Sequence, residues 1–195
     1  MKINELTGYK SDPTYQHAKT NFAGDLSSVN TRTDKLLQFQ TYLTNNGFTP
    51  LGLGQAGVAF THPTYPWVFK IFTHDQGYQR FISYALRHQN NPHIPKLKGN
   101  LMRINPTTYV IRIEKLDRCP LQQGTDSMKI LSRLGDLEDI QMLTPDEIEI
   151  LNSETPGMLE IITDLAKEFP THILDLHRQN ILGRNGTLVL TDPLI

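Results

Sequence analysis

Asp175, Asn180 and Asp192 are the side chains of this sequence whose types and spacing best suit chemistry: an Asp, an Asn five positions later and a second Asp twelve positions after that. An Asn carbonyl and an Asp carboxylate are hard oxygen ligands of the kind Mg²⁺ takes, and a further carboxylate beside them can accept a proton from an attacking hydroxyl. Spread over this much chain, they meet only if the segment turns back on itself. Asn185-Gly186, set between the apolar runs Ile181-Leu182 and Leu188-Val189-Leu190, predicts that turn. It suits a type I′ hairpin, whose two central residues must tolerate positive φ. The hairpin folds Asn180 back towards Asp192, and the set of oxygens is the equipment of phosphoryl transfer. Each residue also has a plainer role open to it: Asp175 as a turn residue, Asn180 as a cap, Asp192-Pro193 as the end of a strand.

A second constellation lies upstream. Gly52, Gly54 and Gly57 form a G-x-G-x-x-G pattern flanked by strand-forming residues. Glycines there let backbone N–H groups approach a phosphate chain without Cβ obstruction, although a glycine-rich turn between strands would give the same pattern. No periodic helix opens at Gly57. Val58-Ala59-Phe60 leads instead through the turn-rich His62-Pro63-Thr64-Tyr65-Pro66 to a second apolar run, residues 67–72. This argues against a dinucleotide-binding loop, in which the glycines open a helix. Lys70 is the one charge in that run, and alternation sets it with Val68 and Phe72, opposite Trp67, Phe69 and Ile71. It is either an edge-strand Lys turned to water or a half-buried ammonium that meets phosphates held by the glycine loop.

The positioning elements follow from periodicity. Residues 1–33 are polar, with Gly8, Pro13, Gly24 and a Ser/Asn/Thr-rich patch, and read as an arm with little core. Leu36, Leu37, Phe39 and Leu43 recur at helical spacing and predict a helix over 34–46, stopped by Gly47. A second helix is expected over 76–89, with Tyr78, Phe81, Ile82, Ala85 and Leu86 on one face and Thr73 or Asp75 as cap. It should pack against the sheet. Residues 94–97, 101–104 and 107–113 read as strands. Residues 48–116 therefore predict a five-stranded antiparallel sheet with one helix.

Beyond Asp117 the pattern turns helical. Met128, Ile130, Leu131 and Leu134 give a short helix ending near Gly135, and Thr144-Pro145-Asp146-Glu147 has a capping-box arrangement. A further helix is expected from Thr155-Pro156, with Met158, Leu159, Ile162, Leu165, Ala166 and Phe169 on one face and Pro170 as its stop. The fold class expected is α+β.

Composition narrows the functions available. In 195 residues, 38% are hydrophobic and 20% charged, which is ordinary for a globular protein. The formal charge of -1, with no Lys/Arg run, leaves no electrostatic footprint for nucleic acid or an anionic membrane. Cys119 is the one cysteine, so no internal disulfide forms; it reads as a buried bystander in a reducing compartment. No apolar stretch is long enough to span a bilayer, and Met1-Lys2-Ile3-Asn4-Glu5 lacks a signal-peptide core, so a cytoplasmic or virion location is expected. His172, His177, His62, His74 and His93 match no zinc spacing and are expected mostly at the surface or in turns.

Glycine hairpin, strand with one Lys, helix, strands, helices, then Asp-x-x-x-x-Asn, hairpin and Asp: this order resembles the protein-kinase-like superfamily over residues 48–195. The resemblance implies an arm and packing helix at 1–47, an N-lobe at 48–116 and a reduced C-lobe at 117–195. It implies that Gly52, Gly54 and Gly57 cover ATP phosphates, that Lys70 contacts them, and that Glu114 to Leu116 sit near adenine. It further implies Asp175 as catalytic base and Asn180 and Asp192 as Mg²⁺ ligands. Asp175-Leu176-His177 resembles small-molecule kinases of the aminoglycoside-phosphotransferase type, and kinase-like chains this short resemble ones encoded by tailed bacteriophages.

The departures bear on activity. No Glu occurs between residues 71 and 113 to pair with Lys70; Asp75, Gln76 or Gln79 stand as substitutes. His-Arg-Asp is replaced by Ile173-Leu174-Asp175, and Pro193-Leu194 stands where Phe-Gly would follow Asp192. The sequence stops three residues past Asp192, without the activation segment and peptide-docking helices. Such a chain is expected to be a minimal ATP- and Mg²⁺-dependent phosphotransferase acting on a protein or small-molecule hydroxyl. The alternative is a non-catalytic, pseudokinase-like module that binds ATP or only a partner.

Overall fold

The computed structural model describes residues 41, 43–45, 47–53, 57–122 and 124–195. The N-terminal arm, most of the helix expected over 34–46, and Gly54 lie outside the described residues. The chain divides into two compact units, one comprising residues up to Asp75 plus Leu97–Lys115, the other Gln76–Lys96 plus Leu116–Ile195.

The first unit is an antiparallel five-stranded sheet in the order β1-β2-β3-β5-β4. Its strands are β1 (Thr49–Leu53), β2 (Gly57–His62), β3 (Tyr65–Thr73), β4 (Met102–Asn105) and β5 (Thr108–Glu114). With the second unit's helices this gives the expected α+β fold. Leu43, Phe48, Val58, Phe60, Phe69, Ile71 and Val110 form one buried cluster, so Phe69 and Ile71 point into the core as alternation required. β3 and β5 pair without a break from Trp67↔Glu114 to Thr73↔Thr108. At the end of that ladder the buried Thr73 and Thr108 hydroxyls lie 3.1 Å apart in a hydrogen bond.

Lys70 faces Ala59 across β2 and Ile111 across β5. The edge-strand alternative is therefore corrected, because β3 is hydrogen-bonded along both sides. The segment 94–97 is also not a strand: Leu97 alone makes an isolated bridge, to Ile113. Pro95 has no N–H to give a ladder, and side chains take the carbonyls before it, Arg184 those of Pro92 and Ile94. The Gln89 amide takes the carbonyl of Pro95 itself.

The second unit holds α1 (Gln76–Arg87), α2 (Asp126–Leu131), α3 (Leu137–Gln141), α4 (Pro145–Glu154), α5 (Met158–Glu168) and the hairpin β6 (Ile181–Arg184) and β7 (Thr187–Leu190). The α1 face of Tyr78, Phe81, Ile82 and Ala85 is buried, as the helical spacing predicted. Within this unit the Tyr84 hydroxyl donates to the Asp164 carboxylate of α5 at 2.6 Å, and Arg87 pairs with Glu168. Burial and the hydrogen bond to Asp164 push the Tyr84 hydroxyl far above its usual range, so it stays protonated and donates.

The capping box forms as its residues dictate, with the Glu147 N–H donating to Thr144 Oγ1 at 3.3 Å and the Thr144 N–H to Glu147 Oε2 at 2.9 Å. That backbone hydrogen bond holds the Glu147 carboxyl below its usual range. α3 escapes hydrophobic periodicity because five residues are too few to show any; the cue is Asp136, whose carboxylate accepts the Asp139 N–H at 3.0 Å. α5 begins at Met158 rather than at Thr155-Pro156. Thr155 instead closes α4, its hydroxyl donating back to the Leu151 carbonyl at 2.7 Å, and Gly157 at φ 83° reverses the chain.

The Asn185-Gly186 hairpin forms with φ of 49° and 85°, a two-residue loop joining Arg184↔Thr187. His93 lies in a turn, as expected of the histidines, but its ring is buried, 4% exposed. Its ring nitrogens lie 2.8 Å from the carbonyls of Leu188 and Pro156.

Gly57 and Gly52 differ in what they require. A Cβ on Gly57 would lie 2.6 Å from the Ile71 carbonyl oxygen and 3.0 Å from Phe72 Cβ, whereas one on Gly52 meets nothing within 4 Å among the described residues. Gly57→Ala is expected to destabilise the sheet by about 2 kcal/mol through overpacking. Gly52→Ala should change stability by less than about 0.5 kcal/mol. Urea unfolding followed by fluorescence of Trp67, the one tryptophan and a β3 residue, measures both. Equal midpoint shifts in the two variants would contradict the steric account.

Candidate functional site

Asp175 lies in an extended segment fastened on both sides. Ile173 and Ile195 exchange backbone hydrogen bonds, N–H to carbonyl at 3.2 Å and 2.9 Å, and the Asp175 N–H donates to the Pro193 carbonyl at 2.9 Å. The intervening Leu174 N–H points the other way and donates to the Gly135 carbonyl at 2.7 Å. That alternation is the geometry of a strand. Gly135 is itself held by the Asp139 carboxylate, which accepts its N–H at 2.7 Å. Residues 173–175 thus run between a braced turn and residues 193–195.

In a regular antiparallel ladder the pair after 173↔195 is 175↔193, which exchanges two bonds. Residue 193 is Pro, so only one forms and the Asp175 carbonyl is left open. The Asn180 side chain fills that place. Its Nδ2 donates to the Asp175 carbonyl at 3.1 Å and to Asp175 Oδ2 at 2.8 Å. Both partners are acceptors, so the amide nitrogen must face them and Oδ1 is turned away. The Asn180 carbonyl in turn accepts the Thr191 N–H at 2.8 Å and the Thr191 hydroxyl at 3.0 Å.

Asp192 therefore lies between two anchored neighbours, Thr191 bonded to Asn180 and Pro193 bonded to Asp175. The three oxygen-bearing residues singled out by spacing are brought side by side in the second unit. The hairpin does this as expected: Ile181↔Leu190 is its last pair, and residues 180 and 191 continue it. Among the described residues no group of three or more His, Cys, Asp or Glu gathers as a metal cluster. A divalent ion here would take the Asn180 Oδ1 and the Asp192 carboxylate, with its remaining ligands from a bound polyanion. Those two hard oxygens suit Mg²⁺.

His177 borders the same carboxylate. Its Nε2 is 3.3 Å from Asp175 Oδ2, and its Nδ1 accepts the Gln179 N–H at 3.1 Å. Both side chains are part exposed, 45% for His177 and 29% for Asp175.

The other predicted site residues lie as follows. Gly52 is in β1 opposite Ala59, and Gly57 opens β2 opposite Phe72. Lys70 is part-buried at the middle of β3, and Glu114 ends β5 opposite Trp67. Leu116 belongs to the second unit, the chain passing from one unit to the other between Lys115 and Leu116.

Sequence reasoning passed over several residues that position this region. Arg184 donates to the carbonyls of Pro92 and Ile94, both at 2.9 Å, and the Leu190 N–H donates to the His93 carbonyl at 2.9 Å. The hairpin thus grips the loop after α1. Gly183 lets the segment after Leu116 lie flat on β6: it exchanges two 2.9 Å backbone bonds with Asp117, and a Cβ there would meet Pro120 at 3.0 Å. Pro193 carried a usable cue, since a proline at a paired position always removes one donor.

No protein-family model matches the chain, and no curated protein matches it. Among solved structures the chain is similar to two thermostable mutants of aminoglycoside phosphotransferase APH(4)-Ia. One is a ternary complex with AMP-PNP and hygromycin B (13% identity, 78% of this chain and 70% of that chain covered, TM-score 0.39). The other is a ternary complex with ADP and hygromycin B (12% identity, 78% and 70% covered, TM-score 0.39). It is also similar to the streptomycin-ATP-APH(2")-IIa ternary complex (16% identity, 85% of this chain and 73% of that chain covered, TM-score 0.33). Among the described residues no helix is long and apolar enough to cross a membrane.

Pro193→Ala restores an N–H facing the Asp175 carbonyl, in competition with Asn180 Nδ2. The expected result is faster solvent exchange of the Asn180 side-chain amide protons in NMR spectra, with stability changed by less than about 1 kcal/mol because one hydrogen bond replaces another. An unchanged Asn180 exchange rate would show that the proline does not hold the amide in place.

Proposed function

We propose that this chain is an ATP- and Mg²⁺-dependent phosphotransferase acting on a hydroxyl of a protein or small molecule. The observation that carries the proposal is the pinning of Asp192 between Thr191, bonded to Asn180, and Pro193, bonded to Asp175. The backbone that carries Asp192 is thereby anchored beside Asn180 and Asp175 before any ligand arrives, which supports the reading because phosphoryl transfer depends chiefly on positioning and charge neutralisation. Bound Mg²⁺ would neutralise charge on the nucleotide phosphates. Asn180 and Asp192 hold it, and Asp175 orients and deprotonates the acceptor hydroxyl. Lys70 steadies the ATP phosphates, the loop bearing Gly52, Gly54 and Gly57 covers them, and Glu114 and Leu116 flank the adenine.

A non-catalytic nucleotide-binding module is the second reading. What favours it is that residues 71–113 contain no Glu, the residue type that pairs with such a Lys in catalytic relatives.

Thermal unfolding with and without Mg²⁺-ATP tests the site, and transfer of label from γ-labelled ATP tests the chemistry. At nucleotide concentrations about 100 times Kd, the protein should gain about 2.7 kcal/mol of stability. Lys70→Ala and Asp192→Ala should abolish the gain. Asp175→Ala should keep it while lowering transfer by about a hundredfold or more. No stabilisation by any nucleotide overturns both readings, and stabilisation without label transfer selects the non-catalytic one.

A further inference from the structure

We infer that His177 is a positioning residue which, together with Asn180, occupies Oδ2 of Asp175 and so reserves Oδ1 for the acceptor hydroxyl; the inference rests on the phosphotransferase reading above. Asn180 Nδ2 donates to Oδ2 at 2.8 Å, and His177 Nε2 lies 3.3 Å from that same oxygen. The amide is hydrogen-bonded to one of the two carboxylate oxygens, and the imidazole nitrogen lies against that same oxygen. The turn itself fixes which imidazole nitrogen bears the proton. The Gln179 N–H donates to His177 Nδ1 at 3.1 Å, so Nδ1 presents its lone pair and the proton of the neutral ring sits on Nε2, the nitrogen beside Asp175.

A free carboxylate rotates about its terminal torsion and offers either oxygen, because that torsion is broad and roughly two-fold. With Oδ2 bonded to Asn180 and His177 set against it, the rotation is restrained and Oδ1 keeps its direction. In the transfer step the acceptor O–H bond breaks and its proton goes to Oδ1. The acceptor oxygen forms a bond to the γ-phosphorus, and the bond from that phosphorus to the β,γ-bridging oxygen breaks, its electron pair leaving with ADP. His177 takes no proton in this sequence. Its contribution is the direction in which Oδ1 points, which matters because small misplacements of a reacting group cost large factors in rate.

The test joins one spectroscopic and one kinetic measurement. In mildly alkaline buffer, long-range ¹H–¹⁵N spectra of the imidazole rings should show His177 as the Nε2–H tautomer, with its signals moving in Asp175→Asn. His177→Ala should keep the stabilisation by Mg²⁺-ATP and a KM for ATP within about twofold, while kcat falls about tenfold. His177→Gln, whose amide nitrogen reaches the position of Nε2, should recover most of that loss. The Nδ1–H tautomer, an undiminished kcat in His177→Ala, or equal impairment in the Ala and Gln variants would overturn the inference. A wild-type protein that binds no nucleotide and transfers no label would defeat the phosphotransferase reading. The tautomer and its response to Asp175→Asn would then decide the His177 contact by themselves.

Discussion

Two backbone hydrogen bonds, from the Thr191 N–H to the Asn180 carbonyl and from the Asp175 N–H to the Pro193 carbonyl, fix where Asp192 stands. Residues separated by five and twelve positions would otherwise be a loose collection of polar side chains on a turn. The hairpin sets the first bond, since residues 180 and 191 continue the β6–β7 ladder past Ile181↔Leu190. The second depends on the extended run from Ile173 to Asp175, which is held in line by Ile195 on one side and Gly135 on the other. Disturb either and the three residues are no longer held together.

Pro193 gives this arrangement its polarity. A residue with an N–H at that position would complete the ladder and satisfy the Asp175 carbonyl from the backbone. The proline withholds that donor, and a buried or half-buried carbonyl seeks another. Asn180 Nδ2 supplies it while also reaching Oδ2, so one missing hydrogen couples the backbone of Asp175 to its own carboxylate through a single amide. Pro193, where the sequence departs from the pattern it resembles, therefore has a local physical role.

The hairpin, the capping box, the alternation of β3 and the buried face of α1 were legible because each is written within a dozen consecutive residues. Asn185-Gly186 announces positive φ; Thr144 and Glu147 announce a helix start; Phe69 and Ile71 alternate with Lys70. What stayed hidden depends on partners distant in the chain. Nothing near His93 says that Leu188 and Pro156 will supply carbonyls to its ring, and nothing near Arg184 says that it will grasp residues 92–94. Residues 94–97 look like a strand by composition, but the carbonyls of Ile94 and Pro95 are taken by the side chains of Arg184 and Gln89. α3 was too short for periodicity to register. At the site, the identities of Asp175, Asn180 and Asp192 were readable, whereas the involvement of Pro193 and Gly135 needed the register of the 173–175 segment.

Lys70 poses the remaining question of why a cation stands in the middle of a central strand. Its cross-strand neighbours are Ala59 and Ile111, and the residues on either side of it in β3, Phe69 and Ile71, are fully buried in the core. Sheet stability alone favours a β-branched or aromatic side chain at such a place, because ordering a long cationic stem costs rotamer entropy and partial burial costs hydration. Ala59 is small enough to leave the stem room. That departure from local propensity in an otherwise consistent strand is what the proposed contact of Lys70 with nucleotide phosphates would account for. The same logic applies to Gly57, yet there packing against Ile71 and Phe72 already accounts for the glycine, so it adds nothing for a phosphate loop. Gly52 is the reverse case: among the described residues nothing lies within 4 Å of the side chain it lacks, and the β1 ladder shifts register between Pro50 and Gly52, the kind of irregularity at which strands take a glycine.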